Sequence, residues 1–237
     1  MSDVGDSIKA ERASWSFGGN VCETFDQHVR RSVPLYEVGH ELICKLSDFF
    51  ISNGSICYEI GCSTGELTIN MARHNKNKAG ARFIGIDIEE NMISKAKEKA
   101  AGVGDVEFVV DDLLQYQYEA ADLIVAYYTV QFVRPAQRQK LIDLIYKRLN
   151  WGGAFVMFEK VRGPDARFQD IVTSLYTDFK LDQGYNGTEI VSKSQSLKGI
   201  LEPFSTQGNI DLLKRAGFVD YMTIMKYVCF EGFLAFK

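Results

Sequence analysis

Proline, histidine and tryptophan are scarce, with four, three and two residues in a chain of 237. His28, His40 and His74 stand far apart, and Cys22, Cys44, Cys57, Cys62 and Cys229 form no Cys-x-x-Cys pair. That spacing argues against a metal site, and thiols left free point to the cytoplasm. No apolar run approaches the roughly 18 residues of a membrane span, and the N-terminus lacks the apolar core of a signal peptide. A basic excess is missing too. Lys and Arg number 27 against 31 Asp and Glu, a net charge of −4, so direct nucleic-acid binding is not expected. No nucleophile, base and orienting acid stand at a recognisable spacing. What remains is 46% hydrophobic and 24% charged, an ordinary globule with chain enough for one substantial core.

The stretch around which the chain is organised is Ile56–Gly65, Ile-Cys-Tyr-Glu-Ile-Gly-Cys-Ser-Thr-Gly. Ile56–Ile60 is a short apolar run, expected as a buried strand. Gly61 and Gly65 make a turn, and Leu67 and Met71 place a helix face directly after it. A strand, a glycine turn and a helix start present backbone amides to a ligand at a positive helix end. The pattern is Glu-x-Gly-x-x-x-Gly rather than the Gly-x-Gly-x-x-Gly that holds a pyrophosphate. Glu59, two residues before the first glycine, repels a phosphate and suits a cation. S-adenosylmethionine carries a sulfonium and an ammonium and no phosphate, and the stretch resembles motif I of class I methyltransferases.

The alternation continues. Strands are expected at Arg82–Ile86, Val106–Val110, Asp122–Ala126 and Ala154–Glu159, with helices at Glu89–Ala101 and from Pro135 to a stop at Gly152-Gly153. Pro34 suits the first turn of an earlier helix, whose face is Val38, Leu42, Ile43, Leu46 and Phe49-Phe50. Residues 164–204 break the rhythm with two helices, Phe168–Lys180 and Thr188–Ile200, expected as a cap or dimerisation insert. A helix at Asn209–Ala216 and two closely spaced strands, Phe218–Tyr227 and Val228–Phe236, end the chain. This order predicts an α/β, three-layer, Rossmann-like methyltransferase fold, with a mostly parallel seven-stranded sheet and an antiparallel C-terminal pair. Residues 1–24 form an N-terminal lid or flexible segment before a domain over 25–237.

Ligands of such sheets collect at the carboxyl ends of the strands, where Glu59, Asp87, Asp112 and Tyr127 fall. Asp87, 22 residues after Gly65, can accept from both ribose hydroxyls or cap the following helix. Of Asp111-Asp112, one can accept from the adenine amine with Leu113 against the ring, unless the pair is a polar turn. Glu59 holds the methionine ammonium or an internal Arg or Lys, since buried charges are paired. Met92 lies on the buried face of its helix and is placed with the cofactor contacts. Cys62 is a small residue fitting the turn rather than a reactive thiol. Tyr127, Tyr128 and Gln131 follow the fourth strand, where a tyrosine ring can meet the sulfonium. Tyr36 by itself reads as packing.

Further residues carry a more specific resemblance. Phe25-Asp26, Ser32-Val33-Pro34-x-Tyr36, Gln131-Phe132, Arg138-Gln139, Leu149-Asn150-x-Gly152-Gly153-Ala154, Glu159-Lys160, Asp178-Phe179-Lys180, Gly184-Tyr185 and Glu189-Ile190 are similar to the carboxy-S-adenosyl-L-methionine synthase family over roughly residues 25–237. That family makes a carboxylated cofactor from S-adenosylmethionine and prephenate for tRNA wobble-uridine modification. The resemblance implies cofactor contacts at Tyr36, Gly61, Cys62, Ser63, Asp87, Ile88, Asp112 and Leu113, and a homodimer. Two positions depart from it. The family asparagine after the fourth strand corresponds to Tyr127. The family arginine that grips the extra carboxylate corresponds to Ser194, which cannot form its bidentate charged pair. The expected function is therefore S-adenosylmethionine-dependent methyl transfer to a small-molecule acceptor on the synthase frame, with the synthase reaction as the alternative.

Overall fold

Apolar runs bounded by turns become parallel strands when helices cover both of their faces. The computed structural model, which describes residues 2–5, 8–19 and 21–237, shows this arrangement. A two-residue hairpin, β1 (Ser2–Asp3) and β2 (Lys9–Ala10), precedes helices α1 (Val21–Ser32) and α2 (Tyr36–Ser47). Then follow β3 (Ile56–Ile60), α3 (Glu66–His74), β4 (Arg82–Asp87), α4 (Glu90–Lys99), β5 (Val106–Val110) and β6 (Ala121–Tyr127). A short 3-10 turn, Val130–Phe132, leads to α5 (Pro135–Arg148), β7 (Leu149–Lys160), α6 (Ala166–Asp182) and α7 (Gly187–Ser196). The chain closes with α8 (Thr206–Ala216), β8 (Asp220–Tyr227) and β9 (Phe230–Phe236).

The large sheet runs β5-β4-β3-β6-β7-β9-β8. Its first five strands are parallel and β9 pairs antiparallel with both β7 and β8, which is the expected fold. Successive side chains of a strand point to opposite faces, and here they feed two cores. Tyr58, Ile60, Ile84 and Ile124 pack with Leu141, Ile142 and Ile145 of α5 and with Leu212 and Leu213 of α8. Cys57, Phe83, Leu123 and Val125 pack with Ile43 of α2 and with Leu67 and Met71 of α3. The strand order reverses between β3 and β6, so a crevice opens outside their carboxyl ends.

Local chemistry accounts for the helix ends. Pro135 opens α5, where its missing N–H costs nothing. Asn186 and Glu189 form a capping box on α7. Ser205 caps α8, which Gly217 ends at φ 115°. The insert helices begin and end within a few residues of expectation.

Elsewhere the structure departs from the sequence reading. α1 was not anticipated, because its apolar residues are few. Pro34 lies in the turn before α2, and Leu35 takes φ 56° there. Val38 and Phe49 are exposed, so the buried face of α2 is Ile43, Cys44, His40 and Gly39. α5 ends at Arg148, and Gly152-Gly153 lie inside β7 instead of stopping the helix. In the N-terminal segment Val4, Ile8 and Trp15 form a small buried cluster against Leu197 and Ile200.

Gly65, like Gly61, leaves no room for a side chain in the turn. It adopts φ 74°, and a Cβ there would strike the Phe108 ring and come within 2.8 Å of Ala96 Cβ. Left-handed strain of about 1–2 kcal/mol adds to overpacking of about 1–3 kcal/mol. Gly65→Ala is expected to lower Tm by roughly 5–15 °C in a calorimetric scan.

Candidate functional site

One cavity of about 950 Å³ opens at the carboxyl ends of β3, β4, β6 and β7, and α1, α6 and α7 wall its outer side. Eleven of the twelve residues singled out above line it: Tyr36, Glu59, Gly61, Cys62, Ser63, Asp87, Ile88, Met92, Asp112, Leu113 and Tyr127. Gly65 does not. It packs behind the turn on Phe108 and Ala96.

The turn is fixed from beneath by Asp87. Its Oδ2 accepts the Ser63 N–H at 2.8 Å and its Oδ1 accepts the Glu89 N–H at 3.0 Å. Each oxygen keeps further acceptor capacity. Burial raises the Asp87 carboxyl, and these backbone bonds oppose the rise. Asp87 thus links the end of β4 to the glycine turn and to the start of α4. Asp112 and Ile88 are exposed at the rim. Asp112 Oδ1 accepts the Leu114 N–H at 2.8 Å and so shapes the β5 turn.

Glu59 is fully enclosed. Its carboxylate accepts from the Thr68 hydroxyl, and burial pushes its carboxyl up to about 8 against that bond. No lysine or arginine among the described residues pairs with it, so the internal cation considered from sequence is absent. A buried carboxylate whose donors are the hydroxyl and backbone N–H of Thr68 favours an added positive charge.

Tyr127 turns its hydroxyl out of the cavity, donating to the Tyr36 carbonyl at 2.6 Å. The tip of its ring fills the space that a Cβ on Gly39 would need. Tyr36, His40 and Tyr127 form a cluster of tilted and edge-on rings, with ring centres 4.6–5.0 Å apart. Burial lowers His40 to about 4, which keeps it neutral inside the cluster. Tyr128 is buried on the wall at φ 59°, its hydroxyl without a partner among the described residues. Gln131 is structural: its Nε2 donates to the Tyr128 carbonyl and its Oε1 accepts the Lys160 N–H at 2.9 Å.

Several groups escaped the sequence reading because their partners are distant in the chain. Asp26 of α1 accepts from Thr64 in the glycine turn and from Lys99 of α4, while Arg30 pairs with Glu66. Together they fasten α1 over the turn. His28 has neighbours after all: Nδ1 lies 3.3 Å from the Tyr185 hydroxyl and Nε2 lies 3.4 Å from Ser32 Oγ. The ring stacks on Trp15. No feature of either local sequence marked that triplet.

A glycine turn at a helix start, a rim with Asp87 and Asp112, and the enclosed Glu59 with no cation beside it among the described residues fit a cationic nucleoside and do not fit a pyrophosphate. The donor set and the fold define an S-adenosylmethionine-dependent transferase of the methyltransferase class. Residues 58–153 match the family model described as a methyltransferase domain. The human N-acetylserotonin methyltransferase structure, determined with S-adenosylmethionine, superposes with a TM-score of 0.62 at 16% identity, covering 91% of this chain and 55% of that one. Carboxy-S-adenosyl-L-methionine synthase of Sulfurimonas denitrificans is 37% identical over 234 residues, 97% of each chain. The same-named protein of Nautilia profundicola is 38% identical over 224 residues, 94% of each. The chain belongs to the carboxy-S-adenosyl-L-methionine synthase family.

Proposed function

We propose that this protein transfers the methyl group of S-adenosylmethionine to a small-molecule acceptor, using the synthase frame for a different final step. The observation that carries this reading is Ser194. It lines the cavity at the position where the family resemblance places a carboxylate-gripping arginine. Its neighbour Lys193 does not stand in, because its ammonium sits over the face of Trp15 and has other geometry.

In this reading Asp87 accepts from the ribose hydroxyls, Asp112 accepts from the adenine amine and Leu113 packs on the ring. Glu59 holds the ammonium, while Gly61, Cys62 and Ser63 bring backbone against the ligand. Ile88 and Met92 line the adenosyl side, and the Tyr36 and Tyr127 rings flank the cationic sulfur. When bound, the cofactor supplies an activated methyl group. The protein aligns it with the acceptor and excludes water through Trp15, Phe17, Phe25 and Phe132 on the wall. The described part of residues 1–24 serves as the lid and 164–204 as the cap.

The second reading, synthesis of the carboxylated cofactor from S-adenosylmethionine and prephenate, draws on the family membership itself. Mass spectrometry of the ligand retained by freshly purified protein separates the two. Plain S-adenosylmethionine or its demethylated product is expected, and a cofactor heavier by one carboxylate overturns the proposal. Ser194→Arg is expected to raise affinity for the carboxylated cofactor at least tenfold, from a restored charged pair of about 1.5–3 kcal/mol.

We further infer a cytoplasmic homodimer without direct nucleic-acid contact. Among the described residues no helix is long and apolar enough to cross a membrane. Phe168, Ile171 and Leu175 leave an apolar face of α6 exposed, which supports a second copy covering it. Light scattering on the eluted peak tests that assembly.

A further inference from the structure

The cavity is electrically divided. Its end at β3, β4 and β5 is acidic, with Glu59, Asp87 and Asp112, whereas its α6 end carries Lys160 and Lys180. Lys160, the last residue of β7, places Nζ 4.0 Å from the centre of the Tyr176 ring and 5.9 Å from that of Phe230. Lys180 of α6 places its Nζ 4.6 Å from the centre of the same Tyr176 ring. Tyr176 is held in place by its hydroxyl, which donates to the Ser32 carbonyl at 2.8 Å. Neither ammonium is within ion-pair distance of a carboxylate among the described residues. The neighbouring Cys229 thiol offers no counter-charge, because burial pushes it up and keeps it protonated. Lys198, also on the wall, adds repulsion to Lys160.

Two like charges beside one aromatic ring repel one another, and Lys160 lowers Lys180. Cation–π attraction softens that repulsion by about 0.5–2 kcal/mol for each cation and supplies no negative charge. Burial lowers both lysines, Lys180 to about 8, with Lys160 as its next cause. Both lysines are half-buried on the cavity wall and neither meets a carboxylate among the described residues, so an anion entering the cavity supplies a partner for them.

We infer that Lys160 and Lys180 form an anion subsite for the carboxylate of the acceptor, whose apolar body lies against Tyr176, Phe230 and Val172. The inference rests on the proposed function only in calling that anion the acceptor. The lysine pair thereby sets both substrate class and orientation, since the acidic end of the cavity repels the same carboxylate.

The test is a calorimetric titration of the full chain with benzoate and with benzamide, its uncharged analogue, each with and without S-adenosylhomocysteine. Benzoate is expected to bind at least tenfold more tightly than benzamide. Lys160→Met and Lys180→Met, with Lys160→Gln as a milder change, are expected to erase that preference. Their unchanged uptake of S-adenosylhomocysteine shows that they are folded. Equal binding of the two probes overturns the inference, as does a preference that survives in the lysine variants. If the protein takes up no S-adenosylhomocysteine, the proposed function fails, while the titrations of the bare chain still decide the subsite.

Discussion

Asp87→Ala is expected to weaken the binding of S-adenosylmethionine and S-adenosylhomocysteine at least 100-fold in isothermal titration. The carboxylate sits at the end of β4 with its two oxygens engaged by the Ser63 and Glu89 N–H groups, and each oxygen can accept once more. A hydrogen bond to a charged group contributes about 1.5–3 kcal/mol, so losing two ribose bonds costs roughly 3 kcal/mol or more, which is two decades of affinity. The truncation also frees the glycine turn, adding to the loss. Asp87→Asn separates these effects. Its amide oxygen still accepts one backbone N–H but carries no charge, and an intermediate loss of about tenfold is expected. Far-UV circular dichroism should be preserved in both variants. Uptake unchanged in Asp87→Ala would remove the cofactor assignment at this rim.

The order of strands and helices was readable because the central strands β3, β4 and β6 are buried on both faces and so appear as nearly unbroken apolar runs between turn residues. The carboxyl-end acids followed from that order alone: placing β4 and β5 in the sheet puts Asp87 and Asp112 at the mouth of the crevice. The groups that were not readable depend on contacts between distant segments. α1 buries only His28 deeply and is fastened by ion pairs to α3 and α4, and its few apolar residues stand among polar and charged ones. The His28, Ser32 and Tyr185 triplet spans 157 residues. Lys160 and Lys180 look like ordinary surface lysines until β7 and α6 bring them onto one ring. Tyr127 lines the cavity, but the direction of its hydroxyl depends on the gap at Gly39, which no local pattern reveals.

Cofactor affinity is expected to rise with pH, by up to tenfold per unit from about pH 6 and flattening above about 8. Burial holds the Glu59 carboxyl at about 8, above an ordinary value of 4.5, so in the empty site it is largely protonated at neutral pH. An ammonium beside it favours the carboxylate, and binding must then expel the proton. The same group sets the pH dependence of the empty protein. Its folded value lies above its unfolded one, so the folded state holds the extra proton and the associated stability is lost as pH rises from about 4.5 through 8. The slope is up to about 1.4 kcal/mol per unit. Glu159, also raised to about 8 by burial, contributes in the same direction, and comparison with Glu59→Gln removes its share. In that variant the glutamine preserves shape and cannot titrate. Its cofactor affinity is expected to fall about tenfold at pH 8, with a markedly shallower pH slope. The measurement is calorimetry at pH 6, 7 and 8 in buffers of differing ionisation enthalpy, which counts the protons released. A slope identical in wild type and Glu59→Gln would show that the enclosed carboxylate does not meet the ammonium.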